Sequence, residues 1–147
     1  MNRTFEYYGL LILEFYMFLI AVPSGIIFVI DPTGSVFDAE ILLSYLPFTD
    51  FLFVGLWLLF VFGLLSLLIM IGIIFQYRLA WISALFLAIL QLIWIGIQYV
   101  IFYGLGINPF MIIIPITALM TIILLFRPQI KENYYKKGKI SIRALNI

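Results

Sequence analysis

The chain has 147 residues, of which 66% are hydrophobic, 18% aromatic and only 10% charged, with 8 Lys or Arg set against 7 Asp or Glu. A soluble domain needs charge on roughly a quarter of its residues to cover its surface, so the composition excludes one and predicts an integral membrane protein. The absence of Cys and His removes disulfides, thiol redox chemistry, imidazole-held haem and every His or Cys metal site. Carboxylate, hydroxyl and amide chemistry is what remains, and the sequence predicts no metal and no cofactor.

A helix crosses the hydrocarbon with about 20 apolar residues at about 1.5 Å each. The apolar run from Tyr7 to Ile30 makes a first span, stopped by Asp31-Pro32-Thr33-Gly34, which places Asp, Pro and Gly where a type I turn prefers them. Between Asp50 and Arg78 lie 27 uncharged residues, and between Arg78 and Arg127 another 48. The second run is too long for one crossing and fits a hairpin broken at Gly104, Gly106, Asn108 and Pro109. The prediction is an all-α membrane four-helix bundle in one domain over residues 1–126, with spans near 7–30, 51–76, 79–103 and 110–126, followed by a basic tail over 127–147. Gly and Pro inside the spans are tolerated in lipid.

Arg3, Arg78, Arg127, Lys131, Lys136, Lys137, Lys139 and Arg143 all fall on one side of a four-crossing chain, whereas the first connection holds Asp31, Asp38, Glu40 and Asp50 without a cation. The charge rule therefore predicts a multi-pass protein of the cell membrane with both termini cytoplasmic. A cleavable signal peptide is the competing reading of residues 1–30, but the run is long, holds Glu14 and lacks a small-x-small cleavage site. Within the outer connection, Ser35 followed by Asp38 reads as a capping box, and Ala39, Leu42, Leu43 and Leu46 recur at helical spacing up to Pro47. A short amphipathic helix is expected there, a lid over the helix ends in preference to a binding loop, with Asp31 and Asp50, at the outer ends of the flanking spans, as outer-loop candidates.

Glu14 is the one formal charge well inside a span. An ionised carboxylate there costs a few kcal/mol, so it should face the bundle. At about 100° per residue, Tyr7, Phe18, Ala21 and Gly25 share its stripe. In the third span Ala80, Ala84 and Ala88 form a ladder of small residues continued by Gln91, Ile95, Gln98 and Phe102. A Glu14 to Gln91 hydrogen bond fits the depths of the two residues, and Trp94 on the edge of the stripe would wall the site. Glu14 reads equally as a structural hydrogen-bond partner and as a proton-linked or ligand-binding carboxylate. For Gln91 and Gln98, interhelical bonding is the simpler account.

Arg127, Lys131, Lys136, Lys137, Lys139 and Arg143 in the tail should lie along anionic lipid headgroups, each worth about 1 kcal/mol. Neither a phosphate loop, nor a nucleophile beside a base, nor a pair of intramembrane carboxylates is present, so no catalytic residue is assigned and nucleic acid is not an expected partner.

Leu13-Glu14, Gly25 before Asp31-Pro32-Thr33-Gly34, Leu46-Pro47-Phe48-x-Asp50 ahead of Gly55, and Trp94-Ile95-x-x-Gln98 together resemble the small four-helix prokaryotic membrane proteins described as DoxX-like, over roughly residues 10–126. The resemblance implies a compact bundle; some relatives are membrane subunits of quinone-linked oxidoreductases, and Glu14, Asp31 and Gln98 are the positions it carries over. The chain is also similar to small multidrug transporters in having four helices and one acid in the first, although those have short connections where this chain has Asp31 to Asp50. The leading expectation is a non-enzymatic accessory subunit of a larger membrane complex, or a binder of a lipid-like or quinone-like molecule, with other membrane subunits or a second copy as partners. The alternative is a small proton-coupled transporter using Glu14.

Overall fold

In lipid or in a dry core an unpaired amide or carbonyl costs several kcal/mol, so long apolar runs close their backbone bonds within themselves as helices. The computed structural model describes residues 5–102 and 109–128, and shows helices throughout with no strand among them. We number the long helices α1 (Phe5–Ile30), α2 (Leu52–Ile74), α3 (Arg78–Ile101) and α4 (Pro109–Leu125). The first three are long and apolar enough to cross a membrane, which marks the chain as a membrane protein. The fourth, with 17 residues, is apolar but shorter. The expected break at Gly104, Gly106 and Asn108 lies outside the described residues, as do Arg3 and the tail cations beyond Arg127.

The helices pack in a ring: α1 on α2, α2 on α3, α3 on α4, and α4 back on α1. The first and third helices therefore stand across the bundle from each other and are not side-by-side neighbours. Tyr7, Leu10, Met17 and Ala21 of α1 meet Phe62, Ile69 and Ile73 of α2, Ala80, Ala84 and Leu87 of α3 and Leu125 of α4 in one core. Trp81 donates its indole N–H to the Leu125 carbonyl (3.0 Å) and Tyr99 its hydroxyl to the Met111 carbonyl (3.1 Å), pinning α3 to α4.

α1 and α2 approach each other backbone to backbone. A Cβ on Gly25 would stand 2.8 Å from the Leu59 amide nitrogen and 2.9 Å from the Gly55 carbonyl oxygen, and one on Gly63 would stand 2.6 Å from Val22 Cγ2. Where the two backbones approach, α2 is not regular. Leu58–Leu64 is π-helical, closed by the Leu65 amide donating to the Phe60 carbonyl five residues back. One residue is thereby inserted into the turn, which rotates everything on its far side by about 100°.

The connection between α1 and α2 packs over the end of the bundle as a lid, but not through the amphipathic α-helix expected from its spacing. It forms two short 3-10 turns, Ser35–Phe37 and Glu40–Tyr45. Asp38 adopts the left-handed conformation (φ 50°), which breaks any helix running through it, and the Ser35 hydroxyl donates to Asp31 instead of capping. The periodicity still marks the inner face: Ala39 is buried, and Leu42, Leu43 and Leu46 pack against Phe51 and Val54. The expected turn is present, with the Gly34 amide donating to the Asp31 carbonyl (3.2 Å), and the Phe51 amide donates to the Pro32 carbonyl (2.7 Å), clamping the ends of the lid together.

Because Gly25 meets backbone atoms that cannot swing away, Gly25→Ala should destabilise the fold by about 1–3 kcal/mol. Gly96, with nothing within 4 Å of a Cβ, is the control: Gly96→Ala should be neutral or stabilising by up to about 1 kcal/mol. Unfolding titrations of both variants in mild detergent check this, and equal effects would contradict the packing described.

Candidate functional site

Glu14 lies on the buried stripe of α1 with Tyr7, Leu10, Met17, Ala21 and Gly25, and is 3% exposed. Phe18, expected on the same stripe, is only half-buried and stacks on the exposed Phe15. Glu14 comes nine residues after the start of α1, and Ser66 eight residues before the end of the antiparallel α2. At 1.5 Å per residue the two sit about 13 Å and 12 Å from the same end of the bundle. Ser66 is fully buried and stands beside the Glu14 carboxyl. The Ser66 hydroxyl is the polar group nearest the carboxyl, but neither it nor Glu14 Oε2 makes a hydrogen bond of regular geometry. Two adjacent buried oxygens in an apolar core are thus short of the bonds that ordinarily offset their desolvation, at about 1–3 kcal/mol each.

Gln91 is also buried, on the stripe of α3 that holds Ala80, Ala84, Ala88 and Ile95. It lies thirteen residues into α3, about 20 Å along the axis and across the bundle from Glu14. The hydrogen bonds described do not include one between the two. Gln98 is half-buried one turn beyond Trp94. The structure therefore brings Glu14 to Ser66, and of the α3 candidates Gln91, Trp94 and Gln98 it sets Trp94 against a different neighbour, Trp57.

Trp57 and Trp94 stack with ring centroids 6.0 Å apart, Phe53 stacks on Trp57 at 6.2 Å, and Phe62 meets both indoles edge-on at 6.4 Å and 6.2 Å. The π-helical stretch is what makes this grouping. Nine residues separate Trp57 from Ser66, which in an unbroken α-helix would put them on opposite faces; the inserted residue brings them to within about 80°. Trp57 then contacts Phe62 at i+5, and Phe62, Ser66, Ile69 and Ile73 follow at ordinary α spacing. Sequence reasoning singled out neither Ser66 nor Trp57. The available signal was that Ser66 is the sole hydroxyl-bearing residue between Leu52 and Ile74.

At the lid, Asp31 is not buried, and it accepts bonds from the Thr33 hydroxyl, the Ser35 hydroxyl (2.7 Å) and the Val36 amide (3.0 Å). Those bonds, the Thr33 hydroxyl foremost, hold its carboxyl at about 2, below the usual 3.8. Its acceptor capacity is spent on the lid itself. Asp50 accepts from the Leu52 amide (3.0 Å) at the start of α2. Both acids thus act as local caps. Among the described residues no group of three or more acidic side chains is placed to hold a metal ion. Arg127 is exposed, and Lys131, Lys136, Lys137, Lys139 and Arg143 lie outside the described residues.

No family model, no curated protein and no solved structure matches the chain. The site is therefore interpreted from its own chemistry.

Deleting one outward-facing residue of the π-helical stretch, such as Phe60, should restore α register and swing the lid-side end of α2 by about 100°. The Trp57–Trp94 stack would be lost, which near-ultraviolet circular dichroism reads directly. An unchanged indole signal in the folded deletion variant would contradict the role given to the stretch.

Proposed function

We propose that this chain is a non-enzymatic multi-pass protein of the cell membrane, a four-helix bundle with both termini cytoplasmic, that works through helix packing and a buried polar anchor. In this reading it serves as an accessory subunit of a larger membrane complex or binds a lipid-like or quinone-like molecule. The observation that carries the proposal is the Glu14–Ser66 pair: a buried carboxyl facing a buried hydroxyl across α1 and α2, with Glu14 Oε2 and Ser66 Oγ making no hydrogen bond of regular geometry. A polar head able to donate to Glu14 and to bond the Ser66 hydroxyl would satisfy both, and buried intramembrane acids mark functional sites by default. The DoxX-like resemblance points the same way.

The tail cations belong to this reading as a contact with anionic lipid headgroups. Proton-coupled transport, the second reading, draws on the same pair, because a carboxyl beside a lone hydroxyl can exchange a proton without a fixed counter-ion. It requires that Glu14→Gln abolish transport in proteoliposomes.

The test is composition. Purified in native-lipid particles, the wild-type protein should carry a molecule or a second membrane chain that bulk lipid does not supply, and Glu14→Gln combined with Ser66→Ala should release it. Identical composition in wild type and double variant, both folded, would overturn the proposal.

A further inference from the structure

Among the described residues the cations are Arg78 and Arg127, and both are exposed. They belong to different helices but to one place in the fold. Arg78 opens α3 and Arg127 follows the end of α4. Those two ends are tied together: the Trp81 indole N–H donates to the Leu125 carbonyl (3.0 Å), and the Trp81 ring meets Phe126 edge-on at 6.1 Å. Arg78 lies nearly one turn outward of Trp81, and Arg127 is next in the chain to Phe126. The foot of the α3/α4 seam therefore gathers the described positive charge. Acids outside the core lie elsewhere. Asp31, Asp38, Glu40 and Asp50 are at the lid, on the opposite end, and Glu6 is on α1, which meets α4 along a different line, where a Cβ on Gly9 would touch Leu124.

The opening of α3 adds to this field. Tyr77 precedes the helix without a side-chain cap, so the first-turn amides keep their partial positive charge beside Arg78. Both arginines bound apolar spans, which sets them at the edge of the hydrocarbon. One turn deeper the surface is apolar and open: Ile82, four residues after Arg78, is 47% exposed, and Ile123, four before Arg127, is 59% exposed. Guanidinium groups at the boundary with bare aliphatic surface beneath them match an amphiphile whose head is negative and whose chains run inward, in preference to a soluble anion. Arginine holds a phosphate diester through paired N–H donors, and a zwitterionic head would bring its own cation up against them.

We infer that the foot of the α3/α4 seam is a binding site for an anionic phospholipid of the leaflet at that end, its phosphate held between Arg78 and Arg127 and its chains lying on Ile82 and Ile123. The site needs none of the tail lysines, and so goes beyond the tail's contact with headgroups. It rests on the membrane-spanning reading and stands whether or not the Glu14–Ser66 pair carries a ligand.

The full chain is reconstituted with equal amounts of phosphatidylglycerol and phosphatidylcholine of the same chain length, and the lipid retained is identified by native mass spectrometry. The wild type should retain phosphatidylglycerol with a preference of about thirtyfold, as two cations at the headgroup level provide. Arg78→Gln or Arg127→Gln alone should lower it to about fivefold, and the two together should abolish it. Replacing Lys131, Lys136, Lys137 and Lys139 by Gln should leave it intact. Glu14→Gln with Ser66→Ala should leave it intact as well, and excess inorganic phosphate should not displace the lipid. Equal retention of the two lipids by the wild type overturns the proposal without needing any variant to fold, and so does an undiminished preference in the double arginine variant. Loss of the preference in the lysine variant would assign it to the tail and overturn the seam; displacement by inorganic phosphate would overturn the lipid as occupant. Loss in the Glu14 and Ser66 variant would overturn the separation of the two sites. Failure of the protein to enter the bilayer at all would overturn both this inference and the membrane-spanning reading beneath it.

Discussion

The close approach of α1 and α2 is the constraint from which the rest of the arrangement follows. Gly25 lets the two backbones come within reach of the Leu59 amide and the Gly55 carbonyl, and Gly63 admits Val22. In a chain this apolar, little free energy separates one rotation of a helix from another, because every face offers similar hydrocarbon. Backbone proximity through small residues supplies the specificity that hydrophobic pattern cannot. The π-helical stretch lies at that contact, and its extra residue decides which side chains of α2 face inward.

Two polar levels result. Near one end Glu14 and Ser66 face each other in the core; nearer the lid Trp57 stands with Trp94, and Phe62 packs against both indoles between these levels. The lid, clamped by the bond from Phe51 to Pro32 and stiffened by the bonds to Asp31, closes the second level from above. A bundle built this way holds its polar groups at fixed depths, as recognition of an amphiphile or a neighbouring subunit requires.

Much of this was legible in the residues. Charge positions and turn formers placed α1, α2 and α3 to within two residues, and the stripes carrying Glu14 and the Ala80, Ala84, Ala88, Gln91 ladder are the buried faces. What escaped has physical causes. In α2 nearly every residue is apolar, so no periodicity betrays an inserted residue, and Ser66 looks like an ordinary small side chain until the π-helical stretch turns it toward Glu14. Matching depths suggested Glu14 and Gln91 as partners, but depth is one coordinate; the ring order of the helices, which sets lateral distance, is not written in any single helix. The lid kept its inner face while losing its α-helix, because Asp38 in the left-handed region interrupts the run.

The placement of Glu14 against Ser66 is open to a direct test, since the chain has no cysteine of its own. In the full-length protein in a bilayer, a short bifunctional thiol reagent should bridge the double variant Glu14→Cys with Ser66→Cys and leave Glu14→Cys with Gln91→Cys unbridged. Preferential bridging of the second pair, or quenching of a probe at position 14 by a nitroxide carried in the lipid tails, would contradict the account.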